Sequence, residues 1–476
     1  MKPRRIALRL VVSILTVSAA AVAYFAYTTV KGVPSLIGLT PLSLEGHKRV
    51  LVLAPHSDDE TLGAAGLIQS ALQAGMEVRV VIATNGDGYL FATMDDFHRL
   101  YPTPADFVRM GNLRQQESLA AMQVLGLKPE QVTFLSYPDR GTPLLWNTYW
   151  SADDPYRSPY TADSRSPYPA TYNPNAVYAG EDYLADLRGI LATYQPDLVI
   201  YPHPDDVHPD HWGLSAFTRL AVAWQEREDP TFHPDMYAYL VHRPDFPSPG
   251  GLQPTQNLLP PVALYELDPA AWYRLELSQD EVLRKGQAVD QYKSQLPLLK
   301  DLLVTFIRAN EVFAQPRPAA LAGLAAGDPW QPDTWQDAHG NPVDVIQRDP
   351  VRDFFTRTAI ASADLSAVYA VRTPQNSVIV CGQARSQTSA QLIYRLYLLA
   401  VSQQGIVHLS FENRGTAKLT PVRLAGPNFC AEAPLADLGD PWLLFVGADV
   451  EDIGVGILDQ TAWQQVNIGP APGPGP

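Results

Sequence analysis

Between residues 49 and 242 short apolar runs alternate with longer stretches of helical spacing, and this rhythm limits the fold more than any other feature of the chain. Residues 49–55, 77–84, 132–137, 197–201 and 236–242 read as strands, and residues 61–75, 107–125, 181–194 and 211–226 as helices. Strands that run parallel need crossovers about a dozen residues long, and the intervening helices supply them. The pattern therefore predicts an α/β domain with a doubly wound, mainly parallel, Rossmann-like sheet and helices on both faces. An apolar segment at 262–267 and a long helix between 280 and 313, interrupted at Pro297, complete it. From about residue 364 the period changes to two over closely spaced segments, which predicts an all-β, sandwich-like C-terminal domain. The expected divisions are a signal anchor or signal peptide at 1–31, linker 32–46, α/β domain 47–320, linker 321–362, β-rich domain 363–468 and a disordered tail 469–476.

Lys2, Arg4, Arg5 and Arg9 precede an uncharged run of 21 residues, 10–30, closed by Lys31. A helix of that length, at about 1.5 Å per residue, spans a hydrocarbon core of roughly 30 Å, whereas a cleavable signal core is about 7 to 15 residues. The expectation is an N-terminal transmembrane helix that anchors the protein with everything after Lys31 outside the cytoplasm. Cleavage between Ala19 and Ala26, giving a secreted protein, is the alternative. With a net charge of −15 and no basic stretch beyond residue 31, the chain lacks the cationic face that a nucleic-acid partner requires. No protein partner is indicated. The two cysteines, Cys381 and Cys430, form either one disulfide or two separate buried thiols.

Chemistry concentrates at two strand ends: Pro55-His56-Ser57-Asp58-Asp59-Glu60, and the stretch from His203 to His211 containing Asp206, His208 and Asp210. Open α/β sheets bind ligands at the carboxyl ends of their strands. Histidine and carboxylate clusters converging there from two strands form a set able to hold a catalytic divalent metal, with a position left for water.

These residues resemble the PIG-L/LmbE-like family of zinc-dependent N-acetylglucosamine de-N-acetylases. The family's His-Pro-Asp-Asp-Glu signature appears with Ser57 in place of proline, and its Asp-x-His-x-Asp-His signature matches Asp206, His208, Asp210 and His211. The likeness extends to residues 84–88, Arg114 with Glu117, residues 137–139, Lys285 and the Tyr292-x-Ser294-Gln295 segment, and covers about 48–315. It implies one zinc ion per chain, or another divalent metal, held by His56, Asp59 and His211. It also implies Asp58 as general base, and His208 as proton donor and oxyanion stabiliser oriented by Asp210. Arg114 and Asp139 would bind substrate, an N-acetylated sugar. Loss of the proline at position 57 would loosen the turn between ligand and base. His203 is off the family spacing; His242, at a strand end, is the one other histidine placed to matter. The alternatives are hydrolysis of another amide-bearing amino sugar conjugate and a non-catalytic, metal-bearing sugar-binding protein of the envelope.

An insertion at 141–180 carries Trp146, Trp150, Tyr156, Tyr160, Tyr168 and other aromatics. It reads either as a lid that stacks on sugar rings or as a self-packed loop. Because every motif lies before residue 315, deletion of the β-rich region near residue 350 is expected to leave activity on a small substrate.

Overall fold

The computed structural model describes residues 39–352, 359–414 and 421–469. The expected span at 10–30 and all but the first residue of the expected tail lie outside them. Among the described residues no helix is long and apolar enough to cross a membrane.

The first half of the chain builds an eight-stranded mixed sheet. Its strands are β1 (Thr40–Pro41), β2 (Arg49–Ala54), β3 (Glu77–Thr84), β4 (Val132–Tyr137), β5 (Leu198–Pro202), β6 (Asp235–Tyr239), β7 (Trp272–Glu276) and β8 (Asn310–Ala314), in spatial order β1-β7-β8-β6-β5-β2-β3-β4. The five strands from β6 to β4 are mutually parallel, as the alternation predicts. The other end is antiparallel at β6–β8 and β7–β8.

The crossovers are α1 (Asp59–Gln73), α2 (Leu90–Asp96), α3 (Pro104–Leu125), α4 (Thr142–Asn147), α5 (Gly180–Tyr194) and α6 (Pro209–Glu228). The segment at 262–267 is helix α7 (Val262–Leu267). The long helix expected from 280 to 313 is two helices and a strand: α8 (Gln279–Val289), α9 (Leu296–Thr305) and then β8. The apolar pattern runs on through β8, but tertiary pairing overrides it. Asn310 exchanges side-chain hydrogen bonds with both backbone groups of Leu258, at 2.6 and 3.0 Å, which fixes an extended backbone there.

Side chains alternate across the parallel sheet. On β2, Val50, Val52 and Ala54 pack against α1, α3, α8 and α9, while Leu51 and Leu53 face α5 and α6. Buried on both faces, the central strands are held by the hydrophobic effect on either side.

The C-terminal half is a sandwich of two six-stranded sheets. The main strands of the first are β12 (Leu365–Arg372), β13 (Ser377–Ala384) and β17 (Asn428–Pro434), with β16 (Arg423–Ala425) paired to β17; those of the second are β14 (Ile393–Ser402), β15 (Gly405–Glu412), β18 (Leu443–Asp452) and β20 (Gln464–Asn467), with β19 (Gly456–Gln460) paired to β18. Short strands β9 (Ala319–Ala320), β10 (Ala322–Gly323) and β11 (Gln347–Arg348), in or beside the stretch read as a linker, pair into these sheets. Cys381 and Cys430 are register partners on β13 and β17 and form a disulfide. On β14, Leu396 and Leu398 point into the sandwich, whereas Leu399 and Val401 point out into the core formed by α5 and α6. The two halves thus share a core.

Candidate metal centre and its pocket

The turn after β2 places His56, Asp58 and Asp59 within four residues. Asp58 has φ 130°, a left-handed value that a side chain rarely adopts, and its carbonyl accepts from the amides of Thr61 and Leu62 as α1 begins. Asp59 and Glu60 then occupy the first turn, where the helix dipole favours negative charge. Arg114, buried on α3, holds the turn from outside. Its guanidinium donates to the carbonyls of Ser57 (2.6 Å) and Gly86 (2.9 Å) and to the Asp58 carboxylate (3.2 Å). Arg114 thus fixes the turn that carries Ser57. The space Arg114 needs explains Gly86, with φ 60°, since a Cβ there would lie 1.8 Å from its Nη1.

The second cluster is organised by Asp206. Its carboxylate accepts from the amides of His208 (2.9 Å), Val241 (3.1 Å) and His242 (3.0 Å), and lies 3.0 Å from Nδ1 of His211. His208 is the N-cap of α6, and its Nδ1 accepts from the amide of Asp210 at 3.3 Å. Asp210 thus meets the ring of His208 through its backbone amide and not through its carboxylate. That carboxylate instead accepts from the amides of Arg140 (2.6 Å) and Thr142 (3.1 Å), and approaches Nε2 of His56 at 3.2 Å. With Nδ1 accepting, neutral His208 carries its proton on Nε2, where it serves as a hydrogen-bond donor.

The clusters meet at Asp59. Its Oδ2 lies 3.0 Å from Nδ1 of His56 and 3.0 Å from Nε2 of His211, spacings near the roughly 3.4 Å between ligands of a tetrahedral zinc with bonds of about 2.1 Å. Oδ1 of Asp59 is buried with no hydrogen-bond partner, so an ion would complete it. The donor set of imidazoles and a carboxylate fits zinc or a neighbouring divalent metal.

Electrostatics point the same way. Burial, opposed by Arg114 and reinforced by Asp59, pushes Asp58 up to about 8. Burial acts against charge on His211 also, but Asp206 and Asp59 outweigh it and lift the ring to about 9. Burial and the neighbouring rings of His56, His211 and His242 hold His208 well below the usual histidine value. A crowd of buried carboxylates that retains protons on nearby groups is a site short of positive charge.

A pocket of about 180 Å³ opens over this centre, lined by His56, Asp58, Asp59, His208 and His242 on one side and by Leu62, Leu299, Leu302 and Leu303 on the other. Arg114 and Asp139 reach its wall; Nη1 and Nη2 of Arg114 are engaged as described, Asp139 Oδ2 accepts from the amide of Gly88 at 2.8 Å, and Oδ1 lies 3.4 Å from His56 Nε2. Tyr89, Arg140 and Gln295 complete the lining. The leucines of α9 belong to no motif of the sequence, and only their i, i+3, i+4 spacing marks them as one face of a helix.

His203 packs away from the site, stacked on Trp272, with Nδ1 accepting from the amide of Asp205. Trp146 and Trp150 are not a sugar-facing lid. Trp146 is fully buried against Phe217, Phe445 and Trp463, and Trp150 stacks on Phe217 and meets His408.

Residues 51–222 match the family described as PIG-L: GlcNAc-PI de-N-acetylase. The chain carries a PIG-L domain. Over 201 residues it is 30% identical to a 1D-myo-inositol 2-acetamido-2-deoxy-alpha-D-glucopyranoside deacetylase of Mycobacterium sp. (strain KMS), a match covering 41% of this chain and 56% of the relative. A protein of the same description from Corynebacterium glutamicum (strain R) is 25% identical over 181 residues, covering 37% and 53%. The chain therefore spans little more than half the length of these relatives. Among solved structures, the N,N'-diacetylchitobiose deacetylase from Pyrococcus horikoshii aligns with a TM-score of 0.36 at 20% identity, covering 57% of this chain and 84% of that one. The PIG-L match ends within α6, so the β-sandwich lies outside it.

Proposed function

We propose that this protein is a divalent-metal hydrolase, using zinc, that removes the N-acetyl group from an N-acetylglucosamine-type sugar or glycoconjugate. The observation that carries the proposal is the single Asp59 oxygen lying 3.0 Å from a ring nitrogen of both His56 and His211, with Asp58 beside them. A zinc ion held by His56, Asp59 and His211 would polarise the amide carbonyl and lower the pKa of water toward about 7.

The remaining work falls to side chains. Asp58, aimed by Arg114 and ionised once a cation offsets the burial that raises it, takes the proton from the attacking water. Nε2–H of His208 donates to the carbonyl oxygen as it gains charge. A C–O bond forms, the C–N bond breaks, and Asp58 returns its proton to the departing amine, leaving acetate and a free amino sugar. The apolar wall of Leu299, Leu302 and Leu303 favours a second reading in which the scissile amide belongs to a different amino sugar conjugate with a larger apolar group. We read residues 10–30 as a membrane anchor that holds the domain outside the cytoplasm, or as a signal whose removal releases it; the Cys381–Cys430 bond suits that oxidising compartment.

Acetate release from a panel of N-acetylated envelope sugars, with and without chelator, tests the proposal. Activity is expected to vanish with the metal. Asp58→Asn should lower the rate roughly 100- to 10,000-fold while keeping the ion, whereas His56→Ala should lose both. Acetate release that survives metal removal would sink the proposal.

A further inference from the structure

We propose that His242 is a fourth protein ligand of the ion that the proposed function assigns to His56, Asp59 and His211, an inference that rests on that reading of the site. Strand β2 delivers His56 and Asp59, β5 delivers His211 through α6, and β6 pairs in parallel with β5 from Leu198 to Pro202, so its carboxyl end opens onto the same rim. Three residues beyond that end stands His242.

Its placement is built rather than incidental. The Asp206 carboxylate accepts from the amide of His242 at 3.0 Å and from that of Val241 at 3.1 Å, through the same Oδ2 that lies 3.0 Å from Nδ1 of His211. One buried group therefore sets both the backbone of His242 and the ring of His211. Asp59, His211 and His242 each bring a potential ligand atom to within 4.8 Å of the others, and the rings of His211 and His242 lie 4.6 Å apart at 77°.

The other two histidines of the region have ring nitrogens engaged by backbone: Nδ1 of His203 accepts from Asp205 and Nδ1 of His208 from Asp210. The His242 ring makes no hydrogen bond to a described residue, and it faces the pocket. His242 would add a third, neutral imidazole while a position stays open to water, which strengthens binding without cancelling the positive charge that polarises an amide.

The test uses the full chain and zinc, with a competing chelator to measure affinity. His242→Ala should bind zinc at least about 10-fold more weakly, while His203→Ala binds as wild type does. X-ray absorption on the wild-type zinc protein, which needs no variant to fold, should count three imidazoles around the ion; two would overturn the inference. A wild-type chain that binds zinc while folded His242→Ala binds it equally overturns the inference alone. A wild-type chain that binds no divalent metal overturns the proposed function and the inference with it.

Discussion

The two faces of the parallel sheet are covered in different ways. One face lies under α1, α3, α8 and α9, all from the first 305 residues, and its core of Val52, Leu62, Met122 and Val289 is closed within that half of the chain. The other face lies under α5 and α6, and its core continues through Phe217 and Trp146 into Leu399, Leu443, Phe445 and Trp463 of the sandwich. Arg219 of α6 adds a bond of 2.6 Å to the carbonyl of Trp463 and sits over the ring of Phe445. The first face draws on no residue of the sandwich. The second does, because α6, whose first turn carries Asp210 and His211, is roofed by residues from Leu399 onward.

The largest test of this difference is to stop the chain near residue 350. The sequence motifs lead one to expect an active fragment, but the structure leads to the opposite expectation: with Trp146 and Phe217 uncovered, the fragment aggregates or fails to fold. A soluble, cooperatively unfolding fragment with activity, seen by circular dichroism and acetate release, would break the comparison.

A double-mutant cycle sharpens it. Trp146→Ala should destabilise the chain by about 3–5 kcal/mol, and pairing it with Trp463→Ala should show a coupling of about 0.5–3 kcal/mol in denaturant unfolding. Met122→Ala, on the self-contained face, should cost about 2–5 kcal/mol yet add to Trp463→Ala within about 0.5 kcal/mol. Additivity in both cycles would show that the faces do not differ.

The smallest effect is expected at the margin of the shared face. Arg188 bridges to Glu228 at 2.6 Å and covers Trp224, but the pair is solvent-exposed. Arg188→Ala should change stability by no more than about 1 kcal/mol, less still in high salt; a larger loss would extend the buried interface outward.

The alternation and the His/Asp strings were readable because each depends on local sequence. Strand β4 appears over the expected residues, and the helices of the parallel region lie within a few positions of expectation, since their apolar period and caps are contiguous. What was hidden depends on distant residues. Strand β8 follows from Asn310 reaching Leu258, the posture of His208 from a backbone amide competing with a carboxylate, and the burial of Trp146 from a second domain. His242 was visible as a strand-end histidine, but its neighbours depend on the Asp206 carboxylate, whose reach from residue 206 to 241 no local pattern reveals.

The packing of Trp146 on Trp463 also bears on inheritance. An appended domain joined by a flexible tether can be gained, lost or exchanged by recombination at the tether, leaving its neighbour intact. Here the insertion at 141–180 and the strands that meet it lie on opposite sides of any such crossover. A lineage that replaced the sandwich would have to change Trp146, Trp150 and the outer side of α6 in step, so the two halves are expected to descend together and to vary together at those positions.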